Sequence, residues 1–244
     1  MTTQGVMVIG TDTEVGKTAV AAGVLYLLRE RGLRAAYFKP VASGMTRWEG
    51  RDVAIDGAFV QKVSGFSEPE SLVTPFAFQN AVAPSLAARM EGRRIDPDRI
   101  RACLQSLQER YDFILAEAAG GLAVPLGDDG LMQYDLIRDL GFPCLLVART
   151  TLGTINHTLL TLHLARDLRI PVVGVILNGF GGTAVEQDNL ATLRRLIDPV
   201  EIVVVPAVRG VSTEDLQEGD LREVFRDLSG QEALFRLLGI PGGP

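Results

Sequence analysis

The sequence predicts a three-layer α/β/α fold built on a doubly wound, mostly parallel sheet. Strand-like apolar runs alternate with helical patterns throughout the 244 residues. These runs are continuous rather than alternating, as in parallel strands that are buried on both faces. A glycine-rich turn ending in Lys17 and Thr18 directly follows the first apolar run, where a strand would pass into a helix. Together these observations favour one α/β domain spanning residues 1–244.

The elements are predicted in chain order from their apolar spacing. Runs rich in Val, Ile, Leu and Phe predict strands near residues 6–10, 35–39, 111–116, 143–148, 171–177 and 201–205. Apolar residues at helical spacing predict helices near residues 17–31, 53–64, 83–91, 97–109, 131–140, 154–168 and 185–197. A last helix is predicted near 220–238, and no internal repeat or low-complexity segment divides the chain.

Composition excludes several classes of protein. The formal net charge of −6 argues against nucleic acid as a main partner. Hydrophobic residues make up 47% of the chain, which is enough for a large core. The apolar runs are far too short to span a bilayer, and the N-terminus lacks the basic region of a signal peptide. We therefore expect a cytoplasmic enzyme that acts on small molecules, with no membrane partner.

Residues 10–18 form a candidate phosphate-binding loop. They read Gly-Thr-Asp-Thr-Glu-Val-Gly-Lys-Thr, with five residues between the glycines where the usual pattern has four. Gly16 lets the backbone turn its N–H groups toward phosphate oxygens, and the following helix adds the positive end of its dipole. Lys17 supplies positive charge for the β- and γ-phosphates, and the Thr18 hydroxyl can bind Mg²⁺. The chain is therefore predicted to bind a nucleotide, in a fold of P-loop NTPase type.

Lys39 and Ser43 follow the second predicted strand, in Phe-Lys-Pro-Val-Ala-Ser-Gly at 38–44. Ligands of doubly wound sheets bind beyond the carboxyl ends of the strands. Lys39 is therefore expected to enter the site and to stabilise the charge of phosphoryl transfer or of a carbamate-like anion. A solvated lysine at a strand end is the alternative. Ser43 could bind substrate or cap a turn.

Glu117 ends the third predicted strand and precedes Ala-Ala-Gly-Gly at 118–121. A carboxylate beside a phosphate loop is suited to bind Mg²⁺, and the glycines let backbone amides approach phosphate or substrate. A structural acid paired with Lys17 is the alternative. Asp52 or Asp56 could complete the metal shell. The sequence leaves both open, and Asp56, at the start of an apolar helix, is favoured.

Two further turns offer groups that could bind ligands. Residues 152–157 read Leu-Gly-Thr-Ile-Asn-His, and the free N–H groups where a helix begins form an anion site. A second anion site implies a substrate with a carboxylate, whereas capping by Thr154 or Asn156 is the alternative. Asn178 and Gly179 end the fifth predicted strand, where an amide can pair with the edge of adenine. The pattern Asn-Lys-x-Asp of a guanine reader is not present there, which favours ATP.

Taken in order, these motifs resemble those of the dethiobiotin synthetase family. The loop at 10–18, Lys-Pro-Val-Ala-Ser-Gly at 39–44, Glu-x-Ala-Gly-Gly at 117–121 and Leu-Gly-x-Ile-Asn-His at 152–157 carry the resemblance, which covers nearly the whole chain. It implies an ATP- and Mg²⁺-dependent ring closure of 7,8-diaminononanoate with CO₂, which is a step of biotin biosynthesis. It also implies a homodimer with active sites at the subunit interface.

The resemblance further implies roles for individual residues. The catalytic residues would be Lys39, Lys17 and Thr13. Mg²⁺ would be held by Thr18, Asp56 and Glu117. The nucleotide would be bound by Glu14, Val15, Gly16, Lys17, Thr18, Ala19, Asp56, Glu117, Gly120, Asn178, Gly179, Pro206, Ala207 and Val208. The diamine would be bound by Thr13, Lys39, Ser43 and Gly121, and by Gly153, Thr154, Ile155 and Asn156 of the second subunit.

Two departures from the family pattern and three rival classes remain. Thr150 and Thr151 precede Leu152 where some members of the family have a more basic sequence, so a different local charge is expected there. Ala118 stands where the family usually has glycine, and a positive φ there would strain it by about 1–2 kcal/mol. A P-loop ATPase switch of the partitioning type carries an extra lysine near the start of the loop, where this chain has Thr11 and Asp12. Glutamine-dependent amidoligases need a further glutaminase domain, for which 244 residues leave no room. A nucleotide-sensing module is the third alternative.

Overall fold

The structure, a computed structural model, describes residues 4–48 and 50–241. Its strands are β1 Gln4–Gly10, β2 Ala35–Phe38, β3 Val41–Ser43, β4 Met45–Trp48, β5 Arg51–Ala54, β6 Phe76–Phe78, β7 Phe113–Gly121, β8 Cys144–Ala148, β9 Val172–Phe180 and β10 Ile202–Pro206. Its helices are α1 Lys17–Glu30, α2 Ile55–Ser64, α3 Glu70–Val73, α4 Pro84–Met90, α5 Pro97–Gln108, α6 Gln133–Leu140, α7 Thr154–Asp167, α8 Ala184–Ile197, α9 Leu221–Arg226 and α10 Gln231–Leu237.

The central sheet has six strands in the order β10-β9-β8-β1-β7-β2, and every neighbouring pair is parallel. β1 lies between β7 and β8, so the strand order reverses at β1. In sheets of this kind the ligand crevice opens at that reversal, beyond the carboxyl ends of the strands. The glycine-rich loop leaves β1 at this point. The fold therefore brings the ends of β1, β7 and β8 together around the loop.

Helices cover both faces of the sheet. The path from β1 through α1 to β2 runs in one direction along the sheet, and the path from β8 through α7 and α8 to β10 runs in the other. Because such crossovers are right-handed, α1 lies on one face and α7 and α8 lie on the opposite one. α9 returns to pack on α1, where a side chain at Gly23 would collide with the ring of Phe225. The predicted three-layer, doubly wound fold is confirmed.

The six predicted strands correspond to the six strands of the central sheet, and seven of the predicted helices match observed ones to within a few residues. The sequence did not indicate two small sheets, the parallel pair β3 and β6 and the antiparallel pair β4 and β5. β3 and β6 have only three residues each, and β4 and β5 mix charged with apolar residues, so none of them was recognised as an apolar run. They matter for the site because they carry the chain from Lys39 to Asp56.

The prediction of one helix near 220–238 was wrong. The chain forms α9 and α10 instead, with a turn between them in which Leu228 N–H donates to the carbonyl of Phe225. Gly230 lies against β10, since an added Cβ there would be 3.1 Å from Val203 Cγ1. Within residues 4–48 and 50–241, no helix combines the length and apolarity needed to cross a membrane.

Candidate active site

The phosphate loop runs from Gly10, the last residue of β1, to Gly16, which precedes α1. Gly16 has φ +87°, a left-handed conformation that favours glycine, and Glu14 also has a positive φ of 57°. A Cβ at Gly16 would lie 2.1 Å from Asn178 Nδ2, which donates to the carbonyl of Val15 at 3.0 Å. Both the conformation and the space around Gly16 therefore require glycine.

Lys17 and Thr18 form the first turn of α1, and both are buried. The Lys17 ammonium donates to the carbonyl of Asp12 across the loop, with an N–O distance of 3.2 Å. Burial lowers the pKa of Lys17, and the charge of Glu117 only partly opposes this effect. This arrangement differs from the alternative in which Lys17 pairs with Glu117. The carbonyl of Asp12 carries only a partial negative charge. An anion bound in the loop would give the Lys17 ammonium a fully charged partner.

A buried cluster of ionised side chains lies beside the loop. Lys39 Nζ is 2.7 Å from Asp56 Oδ2 and 2.7 Å from Glu117 Oε1. The Thr18 hydroxyl contacts the same two carboxylates, at 2.7 Å from Asp56 Oδ1 and 2.9 Å from Glu117 Oε1. The second Glu117 oxygen accepts a hydrogen bond from the Tyr37 hydroxyl at 2.7 Å. Four distant segments of the chain thus meet in one hydrogen-bonded network.

The cluster holds its charges because each is paired. Burial alone would lower the pKa of Lys39, but Asp56 and Glu117 outweigh burial and raise it above its ordinary value. Burial alone would raise the pKa of Asp56, and the Lys39 ammonium and the Thr18 hydroxyl together hold it below its ordinary value. The ammonium and the Asp56 carboxylate therefore both stay ionised at neutral pH. A solvated lysine at the strand end is excluded, because Lys39 is 5% exposed.

The cluster fits a magnesium ion that is shared with a phosphate. Among the described residues, no group of three or more His, Cys, Asp or Glu side chains could hold a metal alone. Asp56, Glu117 and the Thr18 hydroxyl instead offer hard oxygen ligands from three residues. Mg²⁺ is commonly held by one or two carboxylates together with phosphate oxygens and water. Asp52 does not contribute, because it lies exposed on β5 and pairs with Arg47 at 3.4 Å.

The loop and the cluster open into one cavity of about 540 Å³. Ten of the residues that the sequence singled out line this cavity: Thr13, Glu14, Gly16, Lys17, Thr18, Lys39, Ser43, Asp56, Glu117 and Gly120. Gly120 has φ +75°, and the pairing of β7 with β1 shifts register between Glu117 and Gly121. Gly121 pairs with Gly10 across β1 and β7, which draws the end of β7 against the phosphate loop. Ala118 lies inside β7 and is free of the strain considered for a positive φ.

The predicted adenine-binding residues lie at the ends of β9 and β10. Val205 pairs with Asn178 and Pro206 with Phe180, so the two strand ends adjoin. Ala207 N–H donates to the carbonyl of Phe180 and continues this contact beyond β10. One N–H of the Asn178 amide already binds the phosphate loop. Asn178 therefore contacts the loop, residues 206–207 adjoin the end of β9, and neither segment lines the cavity.

The predicted carboxylate-binding residues lie at the start of α7, also outside that cavity. Gly153 has φ +95° and precedes the first turn of α7. The Thr154 hydroxyl donates to the carbonyl of Arg149 at 2.6 Å, so it does not cap its own helix. Leu152 at the tip of this turn is 92% exposed. The α7 start therefore presents backbone N–H groups next to an uncovered apolar side chain.

Tyr37, Arg149 and Glu214 are among the residues near the site that the sequence analysis missed. Tyr37 reads as a core residue of β2, although it stands two positions before Lys39, on the same side of the strand, and a buried tyrosine needs a partner for its hydroxyl. Arg149, beyond the end of β8, donates to the carbonyl of Thr13 at 3.0 Å. Glu214 lines the cavity from the acidic loop after β10, a position that no local motif indicates.

Comparison with known proteins gives a consistent result. A family model described as an AAA domain matches residues 4–214. The chain is 35% identical to the ATP-dependent dethiobiotin synthetase BioD of Clostridium kluyveri over 224 residues, which is 91% of both proteins. It is 37% identical to that of Anoxybacillus flavithermus over 215 residues, which is 87% of this chain and 96% of the relative.

Solved structures of other ATPases share the fold. The septum site-determining protein MinD of Pyrococcus horikoshii, complexed with Mg-ADP, matches with a TM-score of 0.60 at 17% identity over 97% of this chain and 94% of its own. A ParA family ATPase from Chlorobium tepidum matches with a TM-score of 0.56 at 13% identity over 97% of this chain and 98% of its own. At such identities the likeness concerns the fold alone. From the curated relatives, the chain belongs to the ATP-dependent dethiobiotin synthetase family.

Proposed function

We propose that the protein closes the ring of dethiobiotin from 7,8-diaminononanoate and CO₂, with conversion of ATP to ADP and phosphate. The observation that carries this proposal is the buried Lys39–Asp56–Glu117 cluster in the wall of a cavity that the phosphate loop also lines. Family membership supports the reaction, and the cluster supports the chemistry. Residues from Thr13 to Glu214 line this one cavity, which also supports treating residues 1–244 as one domain.

The reaction divides into three steps. One amine attacks CO₂, forms a C–N bond and loses a proton, which gives a carbamate. A carbamate oxygen attacks the γ-phosphorus of ATP, and ADP leaves. The second amine attacks the carbamate carbon and loses a proton, so a second C–N bond forms while the bond between that carbon and the phosphorylated oxygen breaks and phosphate leaves. Each step builds or moves negative charge, so positioning and charge neutralisation account for most of the catalysis.

This chain's own residues supply that neutralisation. Lys17 would bind the β- and γ-phosphates, and Lys39 would hold the carbamate and the transferred phosphoryl group. Thr18, Asp56 and Glu117 would hold Mg²⁺, which when bound draws charge from the phosphate oxygens. Thr13 and Ser43 would contact the diamine end, and Gly121 would bring its backbone amide close to it. Gly120 would lie against the nucleotide. The remaining loop residues Glu14, Val15, Gly16 and Ala19 would surround the phosphates.

The adenine and carboxylate ends of the ligands would bind outside the cavity. Asn178, Gly179 and the segment Pro206, Ala207 and Val208 would border adenine. The start of α7, at Gly153, Thr154, Ile155 and Asn156, would bind the carboxylate of a diamine held by a second subunit. Leu152, beside this turn, is 92% exposed, so no described residue of this chain blocks the approach of a second subunit there.

Phosphate release tests the function directly. Purified protein would receive ATP, Mg²⁺, bicarbonate and 7,8-diaminononanoate, with each component omitted in turn. The proposal requires release that depends on both the diamine and bicarbonate. Release that ignores the diamine, or no release, would refute it and would favour a P-loop ATPase switch or a nucleotide-sensing module.

A further inference from the structure

Glu186, in the first turn of α8, binds more donors than a helix cap requires. It is 7% exposed, and its carboxylate accepts four hydrogen bonds. Oε1 accepts from the Thr150 hydroxyl at 2.6 Å and from Gly181 N–H at 3.1 Å. Oε2 accepts from the N–H and the hydroxyl of Thr183 at 2.9 Å and 2.8 Å. These bonds, that of Thr150 first, lower the pKa of Glu186 to about 2.

Helix capping explains only the Oε2 contacts. Thr183 and Glu186 form a capping box, in which the Thr183 hydroxyl also accepts from Glu186 N–H at 3.3 Å. The box leaves Oε1 free. Oε1 instead joins Thr150, which follows β8, to Gly181, which follows β9. One carboxylate therefore connects two loops at the edge of the candidate site.

On the β8 side, this connection fixes the turn that leads into α7. Asn189 Nδ2 donates to the carbonyl of Thr150 at 2.9 Å, so α8 holds Thr150 through both its hydroxyl and its carbonyl. Thr154 closes the other end of the turn through its bond to the carbonyl of Arg149. The four side chains involved, those of Thr150, Thr154, Glu186 and Asn189, are each at most 7% exposed. The direction of the first N–H groups of α7 is set by these contacts.

On the β9 side, the same carboxylate fixes the loop that follows Asn178. An added Cβ at Gly181 would lie 3.3 Å from Glu186 Oε2, so the loop backbone packs closely on the carboxylate. Phe180, the preceding residue, accepts a hydrogen bond from Ala207 N–H. The loop therefore also holds the segment beyond β10. Movement of Glu186 would displace both loops at once.

We propose that Glu186, acting through Thr150, is a positioning residue that sets the α7 anion site relative to the nucleotide edge. This inference rests on the proposed function, in which the α7 start binds the substrate carboxylate and Asn178 borders adenine. Loss of the Thr150–Glu186 bond should then weaken binding of the diamine acid and leave the chemistry unchanged. In a homodimer the α7 start of one subunit would bind the diamine held by its partner, so the loss of affinity would affect the partner's reaction.

Thr150→Val removes the hydroxyl donor and keeps the capping box. We expect it to raise KM for 7,8-diaminononanoate about 10-fold, the scale of one hydrogen bond to a charged group, with kcat within about 3-fold of wild type. Thr150→Ser keeps the hydroxyl, so its KM should lie within about 2-fold of the wild-type value. Thr183→Ala breaks the cap alone. It should lower Tm by roughly 2–4 °C and leave KM unchanged.

Three results would overturn the proposal: a wild-type KM in Thr150→Val, an equal rise in Thr183→Ala, or failure of Thr150→Ser to restore KM. Glu186→Gln, which keeps the side-chain volume, replaces Thr150→Val if that variant does not fold. Hydrogen exchange supplies a readout that needs no turnover. The proposal requires the backbone amides at 151–156 to exchange faster in Thr150→Val than in Thr183→Ala. This requirement holds even if the wild-type protein shows no diamine-dependent phosphate release. In that case the proposed function alone would fail.

Discussion

The two halves of the candidate site are built in different ways. At the ends of β1, β2 and β7, buried side chains carry the charge, and Lys39, Asp56, Glu117 and Thr18 satisfy one another without a ligand. At the ends of β8, β9 and β10, the site consists mostly of backbone groups and small residues, and Leu152 is left uncovered. The first half is organised before any ligand binds. The second half is held from behind by contacts of α8 with Thr150 and Gly181, and its ligand-facing tip at Leu152 remains exposed.

The position of each half in the sheet explains the difference. Glu117 lies in the middle of the sheet, paired with Val8 of β1, and is fully buried. A buried carboxylate needs partners, and leaving one without them is strongly destabilising. In the turn after β8, Thr150 is buried and bound by Glu186 and Asn189 of α8, whereas the tip at 151–153 is partly or fully exposed. Strong coupling among charges is therefore expected in the first half only.

The largest test of this contrast is Lys39→Ala. Loss of the ammonium should reduce diamine-dependent phosphate release at least about 100-fold, the usual scale for a group that stabilises transition-state charge. It also leaves Asp56 and Glu117 facing each other without their shared cation. Steady-state kinetics, with circular dichroism to verify the fold, measure the effect.

Arg94→Ala is the matched control for Lys39→Ala. Arg94 also lies 2.7 Å from a carboxylate, that of Asp129, but its side chain is 81% exposed and remote from the cavity. Its removal should leave turnover unchanged, because exposed ion pairs contribute little. Near-normal turnover in Lys39→Ala would remove Lys39 from the mechanism and erase the contrast between the halves.

Sequence patterns predicted the first half of the site better than its surroundings. Lys17, Thr18, Lys39 and Glu117 stand in short motifs predicted at the ends of parallel strands, and such strands bring their ends to one edge of the sheet. Asp56 follows the unpredicted β5, and the sequence alone left it open with Asp52. The six central strands were predicted for a similar reason, since continuous apolar runs mark strands that are buried on both faces.

What the sequence did not reveal depends on contacts between distant segments. Tyr37 reads as a core residue until Glu117 is placed beside it. Glu214 reaches the cavity from a loop 97 positions after Glu117, and no local pattern encodes that approach. The break between α9 and α10 reflects the close passage of Gly230 against Val203. These three features depend on tertiary packing, which the spacing of apolar residues along the chain does not reveal.

A second prediction concerns the place where the two halves touch, at Gly16. Gly16→Ala and Gly32→Ala should each lose about 1–2 kcal/mol of stability, because both residues have φ of at least +80°. Only at Gly16 would the new Cβ meet Asn178, whereas nothing lies within 4 Å at Gly32. Gly16→Ala should therefore also weaken ATP binding at least about 10-fold, the scale of a steric conflict of 1–3 kcal/mol.

Titration calorimetry with ATP and Mg²⁺ separates the two glycine variants, and urea unfolding gives their stabilities. Equal ATP affinity in both would mean that the phosphate loop tolerates displacement of Asn178. The contact between the two halves would then have no role in nucleotide binding.

The smallest expected effect comes from Tyr37→Phe. Burial, reinforced by the charge of Glu117, raises the pKa of Tyr37 well above its ordinary value, so the phenol remains a donor to that carboxylate. Removing the hydroxyl leaves a buried carboxylate oxygen without its partner, and the free energy of unfolding should fall by about 1–3 kcal/mol. Tyr111→Phe breaks a similar bond to Glu68, of 2.8 Å, in a half-buried position and should lose less. The free energy of unfolding of both variants is measured by urea unfolding at pH 7. Equal losses would mean that water or a local movement replaces the hydrogen bond to Glu117. The first half would then be less rigidly organised than its hydrogen bonds imply.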